Sequence, residues 1–497
     1  MKTLPPTHPL ERAIVPLLAL GVVLLGFARL RFAATEPLWF DEAFTLAITS
    51  QPDWSGFWRE VYLDSNGPAF YLLLRLWTDL FGASDLALRI PSLLAVAAAG
   101  AIPLVTPLRG LSRSARTTWA VLIFAWWGVG YFLDARCYGV LLAVSTGQCL
   151  AFARLLDRPD RKRALVWAAT GAVAILFHYY AVFLGLAQGL IYLGWCRQRA
   201  VRTWPAALAF VPAFAWIAYH WPRLADYSRL AAVWHAPIDG RRAFELVGFA
   251  IGPTSPVILP AVAVVLAAGL LAAVAGRSAA PGEDRATARP LTLTAASGLL
   301  AFALMLAFGV LGSGLSPRYL IPVAPPLLLG IVLVACAGPR GNLTCAALIV
   351  LYAGLLVQPT LAAFAPARPL PRYEFETGSR FLMDHGVTDV VFAWDHELAP
   401  IMTATTLARV GGAFFDRAGR PIRIHPIVLD PGRDPNRDIV QAARGPRPGL
   451  IWLFNRDGRT AAHRFAPAIA RDPHWLCTAP GGGAAGALAC YRRAGAP

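Results

Sequence analysis

The chain is a succession of apolar runs, many of them near the roughly 20 residues a helix needs to cross hydrocarbon, separated by short links rich in arginine. Few folds are open to such a chain, because backbone in lipid must satisfy its hydrogen bonds inside a helix or a closed barrel. The runs read as about eleven transmembrane helices, at 13–32, 86–108, 117–133, 136–156, 164–177, 180–196, 204–220, 256–276, 291–312, 319–338 and 342–364. Only 15% of residues are charged, where a soluble domain carries roughly a quarter. The first run follows Lys2 and Arg12 without a small-residue cleavage site and reads as an uncleaved helix.

A net charge of +16 would point to nucleic acid in a soluble protein. Here the basic residues gather between apolar runs, at 109–116, 154–163, 197–202 and 277–290, as cytoplasmic loops do. No nucleic-acid partner is implied; the partner is the bilayer. The alternation places the N-terminus inside and, with an odd number of spans, the C-terminus outside. Residues 33–85 then form a first outer loop carrying eight acidic groups, and Pro68 to Trp77 within it is too short to cross and reads as an interfacial helix. A second outer loop, 219–255, holds Arg223, Arg229, Arg241 and Arg242. That is an exception to the charge rule, which a misplaced span would also explain.

Composition changes near residue 365, after a Pro-rich linker. Helical patterns at 373–385 and 397–409 and strand patterns at 387–394 and 450–454 suggest a small α/β domain, 365–497, outside the membrane module of 1–364. The seven cysteines show no metal-ligand spacing. Cys149 and Cys336 lie in apolar runs and read as small hydrophobes. Cys477 and Cys490 lie on two strand-like runs around Gly481-Gly-Gly and are expected to form a disulfide in an oxidising compartment. Asp395-His-Glu397 could suggest a metal, but Asp395 as a helix N-cap explains it more cheaply. Gly312-Ser-Gly314 lacks the strand–loop–helix context of a phosphate loop.

Four short clusters could carry chemistry. Trp39-Phe-Asp-Glu-Ala43 sets Asp41 and Glu42 beside hydrocarbon, where a carboxylate binds protons more readily; a solvated loop is the plainer reading. Phe132-Leu-Asp-Ala-Arg-Cys-Tyr138 holds Asp134 and Arg136, as a site or as a local ion pair at a helix end. In Ser316-Pro-Arg-Tyr319, Arg318 is either a phosphate clamp or an interfacial anchor. His178-Tyr-Tyr180 fits an aromatic belt. One topology puts all four at the outer face, where a lipid phosphate could meet a polar acceptor.

These residues carry a resemblance. The run from Trp39-Phe-Asp-Glu-Ala43 through Asp64-Ser-Asn-Gly-Pro68, Tyr71-Leu-Leu-Leu and Leu88-Arg-Ile-Pro-Ser-Leu-Leu94 resembles the bacterial GT-C glycosyltransferases related to family 39. These include protein O-mannosyltransferase-like enzymes and lipid A aminoarabinose transferases. Asp134-Ala-Arg136, Tyr138, His178-Tyr-Tyr180 and Arg318-Tyr-Leu320 follow in the family's order, so the likeness spans most of 10–340.

The resemblance implies a GT-C membrane fold and inverting transfer of a sugar from a polyprenyl-phosphate donor to an envelope acceptor, with the active site on the periplasmic side of the inner membrane. It makes Asp41 the general base, with Glu42 supporting it and Asp134 and Arg136 completing the site. Asp64, Asn66, Tyr138, His178, Tyr179, Arg318 and Tyr319 become substrate-binding candidates. No metal ligands are assigned and no cofactor is implied, while a divalent metal requirement stays open. Asn66-Gly67-Pro68 departs from the family's usual His-Pro-Pro or Lys-Pro-Pro, which removes a donor-phosphate contact and leaves the sugar undefined. The rival class is a transporter or flippase of lipid-linked saccharides, which would carry ionisable residues near the membrane midplane.

Overall fold

The computed structural model describes residues 9–106, 108–126, 134–234, 238–252, 282–312, 315–336, 341–364, 374–395, 402–420, 422–428, 435–444, 449–454, 471–478 and 486–493, with isolated positions in 260–267 and at 469. The chain begins with a long helix, α1 (Pro9–Thr35), followed by three short ones: α2 (Phe40–Thr49), α3 (Trp54–Leu63) and α4 (Pro68–Phe81). Then come α5 (Asp85–Val105), α6 (Arg113–Ala125), α7 (Tyr138–Asp157), α8 (Arg161–Phe177), α9 (Ala181–Cys196) and a short α10 (Gln198–Arg202). They are followed by α11 (Val211–Trp234), α12 (Gly240–Ile251), α13 (Gly282–Leu311), α14 (Ala324–Ala335) and α15 (Gly341–Phe364). Among the described residues, four segments are long and apolar enough to cross a membrane: Asp85–Val105, Tyr138–Asp157, Arg289–Leu311 and Pro317–Ala335. Ala13–Leu24, Ala181–Cys196 and Gly341–Gly354 are shorter apolar stretches. Most of the expected span at 256–276 lies outside the described residues.

Within the expected outer loop 219–255, α11 runs to Trp234 and α12 follows. The arginines there are locally engaged, Arg229 with Asp226 and both Arg241 and Arg242 with Glu245. The 319–338 span begins as a 3₁₀ turn, Pro317–Val323, before α14. Pro325 and Pro326 sit in α14's first turn, where their missing N–H groups cost nothing.

The helices pack closely at a few small residues. A Cβ on Gly139 would lie 2.5 Å from the Ser92 carbonyl oxygen, so glycine is what lets α7 and α5 meet. There Ser92 Oγ donates to the Arg136 carbonyl at 2.9 Å. Helix α4 leaves Leu76, Leu80 and Phe81 exposed while burying Phe70, Tyr71 and Leu74.

Residues 374–492 form a five-stranded mixed sheet of order β2-β1-β3-β5-β4, made of β1 (Asp389–Asp395), β2 (Arg423–Ile427), β3 (Gly449–Phe454), β4 (Trp475–Thr478) and β5 (Gly486–Arg492). The first three are parallel and the last two antiparallel. Helices α16 (Glu374–Asp384), α17 (Ala404–Arg417) and α18 (Pro435–Ala443) surround it. The helix expected at 397–409 starts later, because Thr403 is its N-cap and its side chain accepts the Thr406 N–H; 396–401 lie outside the described residues. In β1, Val391 and Ala393 pack on one face with Leu450 and Cys490. On the other face, Val390, Phe392 and Trp394 join the core that holds Ala43, Phe44 and Ile48 of α2. The sheet is therefore cored against α2, with Trp394 5.1 Å from Phe40 and 5.4 Å from Phe44, ring to ring.

Cys477 and Cys490 oppose one another in the β4–β5 ladder and are bonded. Cys336 is bonded to Cys345, which corrects its reading as a free apolar thiol. Cys149 is free and buried.

Candidate active site

Asp41 and Glu42 fall in the first turn of α2, where the positive end of the helix favours carboxylates. Successive residues on a helix diverge by about 100°, so the two side chains face different surroundings. Glu42 is fully buried. Its Oε1 accepts Arg89 Nε at 2.8 Å and its Oε2 accepts a terminal Arg89 nitrogen at 2.6 Å. The backbone N–H groups of Ala135 and Trp39 also donate to it, at 2.6 and 3.1 Å. Arg89 gives its other N–H groups to the carbonyls of Ala33, Glu36 and Pro37. Glu42 is thus no partner for proton transfer. It is the buried anion that ties α1, α2, α5 and the 134–137 turn together.

Asp41 turns the other way and accepts a hydrogen bond from Arg318 at 3.2 Å. Its side chain is 28% exposed, against 0% for Glu42 and 3% for Asp134. Of the three acids, Asp41 is the one a substrate can reach. Arg136 is buried beside it, with an Nη 3.4 Å from the Asp41 carbonyl, 3.3 Å from Thr45 Oγ1 and 3.5 Å from the Tyr71 hydroxyl. The guanidinium of Arg318 lies 5.9 Å from the ring of Tyr138 and 6.0 Å from that of Tyr319. His178 packs 5.0 Å from Tyr319 and 6.2 Å from Tyr138. Burial and the charges of Arg318 and Arg136 push its imidazole down to about 3, so it adds a neutral wall rather than a third cation.

A second group holds the loop after α3. Asp64 Oδ1 accepts both the backbone and side-chain N–H of Asn66, each at 2.8 Å. The Asn66 carbonyl accepts the Tyr179 hydroxyl at 3.2 Å, and Tyr179 also meets His220 at 2.7 Å. From α11, His220 reaches the Tyr62 carbonyl, while Arg223 and Tyr227 donate to the Leu63 carbonyl. These are the last carbonyls of α3, which have no partner inside the helix and favour a cation. Arg223 therefore caps α3.

No family model and no curated protein sequence matches the chain. Solved structures do, two of them of one protein. One is the crystal structure of ArnT from Cupriavidus metallidurans bound to undecaprenyl phosphate, at 12% identity and TM-score 0.52 over 96% of this chain and 97% of that one. The other is the same protein in the apo state, at 11% identity and TM-score 0.55 over the same shares. The fold is GT-C. At this identity the likeness is one of fold.

All four sequence clusters converge at one end of the helices, through the contacts of Asp41 with Arg318 and Arg136 and of His178 with Tyr138 and Tyr319. Tyr179 stands apart from His178 and serves the Asp64–Asn66 loop instead. The sequence pattern pointed to no role for Tyr71, Arg89, His220 or Thr45. Tyr71 and Arg89 stood within the runs that carried the resemblance; His220 lay at the end of an apolar run with no local signal. The Asn66-Gly67-Pro68 departure has a steric basis, since a Cβ on Gly67 would lie 2.0 Å from the Leu176 carbonyl oxygen. Among the described residues no group of three or more His, Cys, Asp or Glu is gathered for a metal; His396 and Glu397 lie outside them.

Proposed function

We propose that the chain transfers a sugar from a polyprenyl-phosphate donor to an envelope acceptor at the outer face of a bacterial inner membrane. The observation that carries this reading is the pair of Asp41 and Arg318 at 3.2 Å, a reachable carboxylate beside a guanidinium. Arg318 Nε has no hydrogen-bond partner among the described residues, so its fork keeps donors for a phosphate oxygen. Crystallisation of one solved structure of this fold with undecaprenyl phosphate supports a lipid-phosphate donor.

The step follows from these groups. The acceptor hydroxyl gives its proton to Asp41 as its oxygen bonds to the anomeric carbon. The bond from that carbon to the phosphate oxygen breaks, and its electron pair leaves with polyprenyl phosphate. Arg318 and Arg136 stabilise the charge that develops there. Attack from the side opposite the leaving group inverts the anomeric centre. Tyr138, Tyr319 and His178 wall the site, and the Asp64–Asn66 loop held by Tyr179 offers polar groups to the sugar.

A transporter would place ionisable groups near the midplane. The polar contact deep in α7 and α9 is instead neutral, Gln148 with Gln188 at 3.0 Å and Trp167 with Gln188 at 2.7 Å. The test is incubation of the purified chain with radiolabelled polyprenyl-phosphate sugars and envelope acceptors. Transfer of label supports the reading; movement of intact lipid-linked sugar across a vesicle without transfer overturns it.

A further inference from the structure

At the far end of α7 from Tyr138, five helices enclose a cavity of about 810 Å³. Helix α7 has 20 residues, so the cavity lies about 30 Å from the candidate active site, the thickness of a hydrocarbon core. Its rim is strongly cationic. Arg154 comes from α7 and Arg158 from its C-cap, Lys162 from α8, Arg116 from α6 and Arg109 from the link before α6. None of these five makes an ion pair among the described residues, and Arg116 Nε is buried without a hydrogen-bond partner among them. Arg163 also lines the cavity but is engaged by Asp160. The single acid in the lining, Asp157, neutralises none of the five. Deeper in, the wall turns apolar with Ile102, Leu150 and Leu291.

Cytoplasmic arginines alone obey the positive-inside rule while spreading into water. Five cations without an ion pair among the described residues repel each other around one concavity, and that repulsion grows at Arg116, which is half-buried while the other four are exposed. A phosphate group set among them relieves it, and the apolar wall fits the chain of a lipid that carries such a group. We infer that this cavity binds a phosphate-bearing ligand, the headgroup of an anionic phospholipid, on the membrane face opposite the candidate active site. The same cations would also accept a free phosphate anion.

The test uses the full chain in detergent, offered equimolar phosphatidylglycerol and phosphatidylcholine and read by native mass spectrometry, with inorganic phosphate as competitor. Phosphatidylglycerol is expected to be enriched. In the double variant R154Q/R158Q its affinity should fall about thirtyfold, a factor of about five for each cation removed. R113Q, at an exposed arginine that does not line the cavity, should change it little. Competition by inorganic phosphate would assign the site to phosphate as such; retention against phosphate would assign it to the lipid headgroup. Equal retention of the two lipids by the wild-type chain overturns the inference, as does unchanged enrichment in R154Q/R158Q. The wild-type arm decides the matter even if the double variant does not fold.

Discussion

Arg318 donates to Asp41 across 277 positions of sequence, at 3.2 Å, and joins the start of the 3₁₀ turn before α14 to the first turn of α2. The two side chains are 18% and 28% exposed. A partly exposed pair contributes little to stability, about 0–1 kcal/mol, and on the proposed reading it places a base and a cation together.

Asp41→Asn should therefore leave the fold intact and remove the base. The expected loss of turnover is about a hundredfold to ten-thousandfold with donor and acceptor saturating. A variant that is monodisperse and keeps more than about a tenth of wild-type turnover would show that Asp41 is not the base.

Arg318→Lys keeps the charge and loses the fork. Donor KM should rise, or turnover fall, by about tenfold or more. Wild-type rates in Arg318→Ala would take this residue out of the donor site.

Glu42→Ala separates structural from catalytic carboxylates. It leaves Arg89 buried and without its anion, at a cost of about 3–5 kcal/mol. Thermal unfolding in detergent should show a large loss of stability for Glu42→Ala and almost none for Asp41→Asn. The opposite order would exchange the roles of the two carboxylates.

Gly67→Ala forces a methyl group against the Leu176 carbonyl. Overpacking of this kind costs about 1–3 kcal/mol and displaces the Asp64–Asn66 loop. Substrate KM should rise more than turnover falls. Unchanged KM would mean that the loop does not contact substrate.

Topology is open to labelling at exposed positions. Cysteines at Arg59 and Arg380, which are 60% and 70% exposed, should react with an impermeant reagent in intact spheroplasts. A cysteine at exposed Arg113 should be protected. Reaction at Arg113 with protection at Arg380 would invert the topology.

The sequence alone determined what depends on local order. Apolar runs of membrane length give helices, since lipid offers their backbone no other partner. The rhythm of arginines suggests an orientation, and that expected orientation gathers Asp41, Asp134, His178 and Arg318 at one face. Alternation around Cys477 and Cys490 gave a strand pair in register. Only the tertiary structure decided how the adjacent acids divide their work. Both carry the same charge on the same turn, and nothing local says that Glu42 meets Arg89 while Asp41 meets Arg318. Helix rotation and crossing settle that, through contacts as close as Gly139 on Ser92 and Gly67 on Leu176. The arginines show the same limit: Arg223 caps α3, Arg89 anchors a buried anion and Arg318 stays near the surface. Their charge is identical in sequence, and only the partners that packing brings within reach tell them apart.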